Sequence, residues 1–421
     1  MGKFIKNTIL NYITANFEPE INIKPERISD FNSKSVKYGN IVYLCEREIR
    51  AKDNFALKFA QQKSKELNLP LKIIHPKINF EYQPKNNFIE RQIFQAQKQF
   101  ENMGYDFEIS EKFPSEIISD YDIALLITDF NPILNRKYLK NADFKIFEID
   151  GHNIIPAKFV SDRQEYNAAT MRRKIYGNIF NFLTESDNQT NFKTEADKVL
   201  EDFIKNRLQN YAELKNNPSE NVTSGLSKYL NLGFISAQRA VLEVIKSDVS
   251  DENKEVFLEE LIIRKELADN FCRYCSHFKD FSGIPLWARN SLEFHKNDIR
   301  AYLYSAEEFE NCKTHDKLWN MTQRQLKTEG VIHGYLRMYW AKKIAEWTKS
   351  PDEALKIAIY LNDKYAFDSP SPNGYTGILW AIGGLHDRAF ADYPVTGKIR
   401  RMTYSSIIRK FDLTGYFENN T

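Results

Sequence analysis

Asn40-Ile-Val-Tyr-Leu-Cys-Glu46 and Leu71-Lys-Ile-Ile-His75 frame a segment, Asp53 to Leu67, in which Phe55, Ala56, Phe59 and Ala60 recur at helical spacing. Two short apolar runs around one amphipathic helix are the pattern of parallel strands joined by a crossover. Asp122-Ile-Ala-Leu-Leu-Ile-Thr128 and Phe144-Lys-Ile-Phe-Glu-Ile-Asp150 repeat the strand signal. The chain therefore opens with an α/β, Rossmann-like N-terminal domain. No G-x-G-x-x-G follows any of these runs, so the ordinary dinucleotide fingerprint is absent.

The pattern changes near Tyr176. Thr184-Glu-Ser-Asp-Asn-Gln-Thr-Asn191 has the composition of a linker. Beyond it, Glu195–Leu214, Ala237–Ser247, Lys254–Phe271 and Val331–Lys349 all read as helices, with no alternating strand among them. The expected organisation is an α/β domain over 1–180, a linker over 181–194 and an all-α domain over 195–421.

Composition sets outer limits. In 421 residues, 59 Lys plus Arg face 57 Asp plus Glu, a formal charge of +2. Any nucleic-acid binding must then come from a local basic face. Four Cys residues are too few for a disulfide scaffold and suit a reducing cytosol. Cys272-Arg-Tyr-Cys275 lacks a second CxxC or a spaced His pair, which argues against zinc or iron–sulfur. Met1-Gly2-Lys3 opens no apolar signal run, and no stretch has membrane length. These features lead us to expect an intracellular protein, with no membrane partner and no metal.

The turn Asn221-Val-Thr-Ser-Gly-Leu-Ser-Lys228 leads into an apolar helix-like run. Thr223, Ser224 and Ser227 carry hydroxyls, and Gly225 lets the backbone approach a ligand. A polar turn opening a helix suits a pyrophosphate. A Ser/Thr cap on an ordinary helix is the commoner use of such residues.

Tyr211 followed by Thr223-Ser-Gly-Leu-Ser-Lys-Tyr-Leu230 and Gly233-Phe-Ile-Ser-Ala-Gln-Arg239 is similar to the FAD-binding turn of DNA photolyases. Asp150-Gly-His-Asn-Ile-Ile-Pro156 and Ser161-Asp-Arg-Gln-Glu-Tyr166 extend the likeness. So do Arg264-Lys-Glu-Leu-Ala-Asp-Asn-Phe271, His333-Gly-Tyr-Leu-Arg-Met-Tyr-Trp-Ala-Lys-Lys343, Tyr360-Leu-Asn-Asp363, Pro372-Asn-Gly-Tyr375, Gly397-Lys-Ile-Arg400 and Arg409-Lys-Phe-Asp412. In this order the blocks resemble class II cyclobutane pyrimidine dimer photolyases, within the photolyase/cryptochrome family. The resemblance is thin before residue 120.

That resemblance implies an antenna-type first domain and a helical FAD-binding catalytic domain. It assigns Tyr211, Thr223, Ser224, Gly225, Leu226 and Ser227 to FAD. Arg337 and Asp363 would polarise the isoalloxazine ring, Asn362 would lie near flavin N5, and Asn373 would join the same pocket. Without the family, Arg337–Asp363 is a plausible ion pair and Asn362 a plausible cap.

By the same resemblance Glu260 hydrogen-bonds the damaged base, although a carboxylate there could simply pair with Arg264 one turn later. Other photolyase classes carry a Trp three residues on, where this chain has Ile263. Trp380 is the expected replacement wall, and Met338 resembles a residue touching the dimer. Trp340 and Trp347 lie seven residues apart, about 10.5 Å of helical rise on one face. With Trp319 they resemble the class II electron-transfer set, with their order along the path open; core packing is the usual role of such residues. Trp287 is read as structural.

The segment from Arg388 to Lys410 carries six Lys or Arg residues against Asp392 alone. In the family this segment enters the gap left when the dimer leaves the duplex, and Arg388 and Arg400 match its Arg positions. Position 390, a Trp in the family, is Phe390 here. The implied reaction is repair of pyrimidine dimers in UV-damaged DNA by an electron from photoexcited reduced FAD, which then returns. A second antenna chromophore, a deazaflavin or similar, is an optional companion. The expected protein is a monomer, cytoplasmic or nucleoid-associated, or nuclear in a eukaryote. The alternatives are a cryptochrome-like flavin photoreceptor without repair activity and a non-photoactive DNA-binding or structural protein. The lack of a long tail after Asn420 and the presence of Glu260 count against the receptor.

Overall fold

The computed structural model describes residues 8–13, 23–185 and 190–419. The first part holds six strands: β1 (Ile28–Asp30), β2 (Asn40–Leu44), β3 (Leu71–His75), β4 (Phe107–Ile109), β5 (Ile123–Asp129) and β6 (Lys145–Ile149). They form one sheet in the order β1-β6-β5-β2-β3-β4, parallel throughout except for β1 against β6. β2 and β5 are central, and their continuous apolar runs follow from burial on both faces. The four strands expected from sequence are present. β1 and β4 went unread because three residues at a sheet edge leave no periodic signal.

The Phe55–Leu67 helix crosses from β2 to β3. Asn54 caps it by accepting from the Leu57 N–H at 2.9 Å, and Asn68 ends it in the left-handed region at φ 53°. The order reverses between β2 and β5, which is where open α/β sheets usually bind ligands. Here the Asp129 carboxylate fills that position. It accepts from the N–H groups of Glu46, Arg47 and Glu48 at 2.9, 2.8 and 3.0 Å, and burial raises its pKa to about 6.

The second half is helical, but two expected helices are broken. Glu195–Leu214 divides into Glu195–Asp202, a π-turn Phe203–Arg207, a 3-10 turn Leu208–Asn210 and Tyr211–Leu214. Lys254–Phe271 becomes Asp251–Leu258, a π-segment Glu259–Arg264 and Lys265–Tyr274. Wide turns of this kind re-aim side chains that a regular helix would stack, and they recur at functional sites.

The expected linker is less loose than its composition suggested. Residues 181–182 end a helix, Gln238 bonds the Thr184 carbonyl, and Glu185 pairs with Arg239 at 3.1 Å. Ser186 to Gln189 lie outside the described residues. The hydrophobic core is continuous across this boundary, running from the sheet to Leu267; a second core surrounds Phe271 to Tyr416. Buried ion pairs also cross it: Arg47 with Asp269 at 3.0 Å and Arg239 with Asp53 at 2.8 Å. Gly233 sits at the same seam with φ 65°. A Cβ there would lie 2.2 Å from the Arg47 carbonyl oxygen.

Candidate functional site

The π-segment sets the first group of site residues. In a regular helix Glu260 and Arg264 would stack, but the wide turn moves them out of register. Arg264 pairs instead with Glu259 at 3.3 Å, and Glu260 bonds the Lys215 amine at 2.6 Å. The alternative Glu260–Arg264 pair is therefore absent. Glu260 remains exposed. Tyr211 lies beneath it, buried edge-on against Phe203 and Phe257, and its pKa is raised by burial and then by the Glu260 charge. The Lys215 backbone engages His333, the residue that caps the Gly334–Glu346 helix. Tyr211, Lys215, Glu260 and His333 thus form one cluster. Burial lowers the His333 pKa to about 4, leaving a neutral ring whose Nδ1 accepts from the Tyr335 N–H at 3.2 Å.

The turn 221–226 is built for neither strand nor cap. Gly225 has φ 69°, and a Cβ there would meet only Val199, at 3.8 Å. Arg207 bonds the Thr223 carbonyl and pairs with Asp202 at 2.8 Å, tying the turn to the preceding π-segment. No side chain caps the short Ser227–Leu230 helix, so the alternative of an ordinary Ser/Thr cap is not realised here. Ser224 instead accepts from the Leu226 N–H at 3.3 Å.

Arg337, one turn into its helix, forms a two-pronged pair with Asp368 at 3.1 Å for both contacts. The alternative Arg337–Asp363 ion pair is therefore not formed. Asp363 accepts from Ser369 Oγ at 2.5 Å and Tyr375 OH at 2.8 Å, and Lys85 of the first domain donates to its carbonyl at 2.8 Å. Asn362 is buried and donates to Ser369 Oγ at 2.8 Å, so it acts inside this network and not as a cap. Asn373 is exposed in the first turn of the Pro372–Gly383 helix.

Trp319, Trp340 and Trp347 are all buried and form a column. Trp319 occupies the middle. Its ring is 6.5 Å from Trp340, nearly parallel at 5°, and 6.4 Å from Trp347 at 67°. Trp319 Nε1 donates to the Trp340 carbonyl at 3.0 Å, and Trp340 Nε1 donates to Gln323 at 2.8 Å. Hydrogen bonds therefore fix the orientation of the Trp319 and Trp340 indoles. At the other end, Trp347 meets His315 and Tyr304 at 4.8 and 5.9 Å. Trp287 packs under Gly384.

Trp380 is 36% exposed, and its Nε1 bonds Asp387 at 3.1 Å. Nearby, Phe390 lies between two guanidiniums, Arg388 at 5.6 Å and Arg400 at 5.9 Å. Both are exposed, and Phe390 is held by its N–H to the Lys398 carbonyl at 2.9 Å. Met338 packs half-buried against the second core. Lys342 is a residue the sequence reading missed. Its amine is buried and bonds the Ala381 carbonyl at 2.8 Å, and burial lowers its pKa to about 8 despite Asp387. Only its four-residue spacing from Met338 hinted at it. Among the described residues no cluster suited to a metal occurs, and no helix is long and apolar enough to cross a membrane.

A parallel-rich sheet followed by a helical half is the architecture of the photolyase–cryptochrome fold. A cryptochrome from Synechocystis sp. PCC6803 superposes with a TM-score of 0.68 over 92% of this chain and 89% of its own, at 13% identity. A class III photolyase from Agrobacterium tumefaciens gives 0.64 over 87% and 84%, at 15% identity. No family model matches the sequence. Whole-chain relatives do. The deoxyribodipyrimidine photo-lyase of Potorous tridactylus is 35% identical over 89% of this chain and 80% of its own. That of Arabidopsis thaliana is 35% identical over 90% and 88%, and that of Methanothermobacter thermautotrophicus 29% over 94% and 98%. The chain belongs to the deoxyribodipyrimidine photo-lyase family.

Proposed function

We propose that this chain is a class II photolyase, which repairs cyclobutane pyrimidine dimers in DNA with light and bound FAD. The observation that carries this reading is the Trp340–Trp319–Trp347 column, with centre separations of 6.5 and 6.4 Å and the Trp319 and Trp340 indoles held by hydrogen bonds. Core packing alone does not require three such rings in contiguous order ending beside surface aromatics.

The residues present fit FAD. Gly225 leaves an open backbone approach beside the Thr223 and Ser227 hydroxyls, which suits a pyrophosphate. Arg337–Asp368 and Asn362–Ser369–Asp363 offer fixed dipoles for a polar ring system. Bound there, FAD supplies the electron donation and recovery that side chains cannot.

The chain's own part is to bind, orient and bias charge. Glu260 presents a carboxylate at the exposed edge of the cluster, where it would hydrogen-bond the flipped base and steady charge as it develops. Trp380 and Met338 would form the walls of that pocket. Phe390, flanked by Arg388 and Arg400, would enter the duplex gap while the two guanidiniums hold the backbone. Flipping costs less for a dimer because it is already poorly stacked. The three Trp residues would carry electrons inward to restore reduced FAD. A deazaflavin-type antenna in the first domain would have to sit away from the β2–β5 switch point, because Asp129 fills it. Repair is preferred to the photoreceptor alternative because the chain keeps both an exposed Glu260 and an exposed basic segment around Phe390. The test is loss of dimers from irradiated DNA under blue light and in darkness.

A further inference from the structure

Beside the surface end of the Trp column lies a cavity of about 300 Å³, lined by Arg300, Tyr302, His315, Lys343, Trp347 and Arg401 among others. None of these residues except Trp347 has a part in the site described above. Trp347 forms part of the wall yet is only 3% exposed. The Tyr302 and His315 rings stack at 3.6 Å and 14°, giving a flat aromatic face toward the outside. Lys343 is neutralised by Glu346 at 2.6 Å, and Asp316 is engaged by Tyr339 and the Trp319 N–H. Among the described residues neither Arg300 nor Arg401 forms a direct ion pair: Asp298 and Glu353 act on Arg300 only from a distance, and Arg401 lies over the Tyr393 ring at 4.7 Å. Arg300 bonds only the carbonyls of Lys296 and Asp298, and its Nε is buried without a partner.

We propose that this cavity docks a small, planar, anionic one-electron reductant of the enediolate class, which refills the end of the Trp column. The inference rests on the column acting as a relay. Three features fix the ligand chemistry. Two guanidiniums without a direct ion pair favour an oxygen anion, the stacked Tyr302–His315 face favours a planar molecule, and the volume admits on the order of ten non-hydrogen atoms. The step balances as follows. One electron leaves the reductant monoanion for the oxidised Trp347 ring and restores a neutral indole. The reductant becomes a radical that releases one proton to water or to the adjacent His315 imidazole.

The test uses FAD-loaded protein and ascorbate. In darkness, saturation-transfer NMR should show ascorbate signals attenuated by the protein. Arg300→Gln should reduce that transfer at least five-fold, and Arg300→Lys, which keeps the charge, should recover part of it. Under blue light, flavin reduction should saturate with ascorbate in the unaltered protein. In Arg300→Gln it should become linear and slower, while reduction by neutral 2-mercaptoethanol stays unchanged. Absence of dark transfer, or identical linear ascorbate dependence in both proteins, overturns the proposal. Trp347→Phe separates the two claims. If 2-mercaptoethanol still supports full photoreduction in that variant, the relay fails and the redox role with it, while dark transfer still judges anion binding.

Discussion

Glu260 shows how far a single residue can be read from sequence. Its identity and its place in the apolar run Val256–Ile263 were legible; its partner was not. A one-turn pairing with Arg264 assumes a regular helix, and the Glu259–Arg264 π-segment removes that register. The same limit applied to Arg337, whose partner Asp368 lies in a loop whose approach no local spacing reveals. If Glu260 bonds the lesion, Glu260→Ala should lower the light-driven repair rate by about ten-fold or more. Salt-dependent DNA affinity, which Arg388 and Arg400 would govern, should stay nearly constant. A rate equal to the unaltered protein's would reject the role. His75 gives a prediction of a different kind. Its ring is buried with Nδ1 2.8 Å from the Cys45 carbonyl, and burial lowers its pKa to about 4. Between that value and about 6.5 the unfolded chain binds more protons than the folded one. Stability contributed here is therefore constant above pH 6.5 and falls as pH drops toward 4, by on the order of 3 kcal/mol. Denaturant midpoints across that range should decline in unaltered protein, and the decline should be shallower in His75→Gln.

At the scale of elements, the strands that cross the sheet centre were legible because burial on both faces demands continuous apolar runs. Edge strands of three residues were not. The Trp set was partly legible. Seven-residue spacing put Trp340 and Trp347 on one helix face, but Trp319 enters from the Lys317–Glu329 helix, so only helix packing could make it the middle member. Trp319→Phe keeps most of the buried volume and should cost little stability, yet it should slow photoreduction of bound flavin by about ten-fold or more. Repair by protein already reduced in the dark should be unaffected. Time-resolved absorption and a dimer assay on pre-reduced protein read the two effects separately. Loss of both together would mean that Trp319 serves only packing.

Over the whole molecule, the sequence marked a change of architecture near residue 180 but suggested a looser join than exists. The contacts that bind the halves are buried and polar, as in Arg47–Asp269, Arg239–Asp53 and Lys85 to the Asp363 carbonyl. Charged residues far apart in the chain carry no pattern that announces such pairing. Because the core also runs through the join, unfolding should be a single transition across both halves. Gly233→Ala tests this. The added Cβ meets the Arg47 carbonyl in a left-handed backbone, so a loss of about 2–3 kcal/mol or more is expected. Near- and far-ultraviolet signals should shift together in chemical denaturation; separate transitions would show that the halves fold independently.

The central claim is light-driven repair, and its most direct measurement is dimer content in UV-irradiated DNA incubated with the purified, reduced, FAD-containing protein. The predicted result is loss of cyclobutane dimers under blue light and none in darkness. Bound flavin with unchanged dimers under both conditions would contradict the account and favour a photoreceptor.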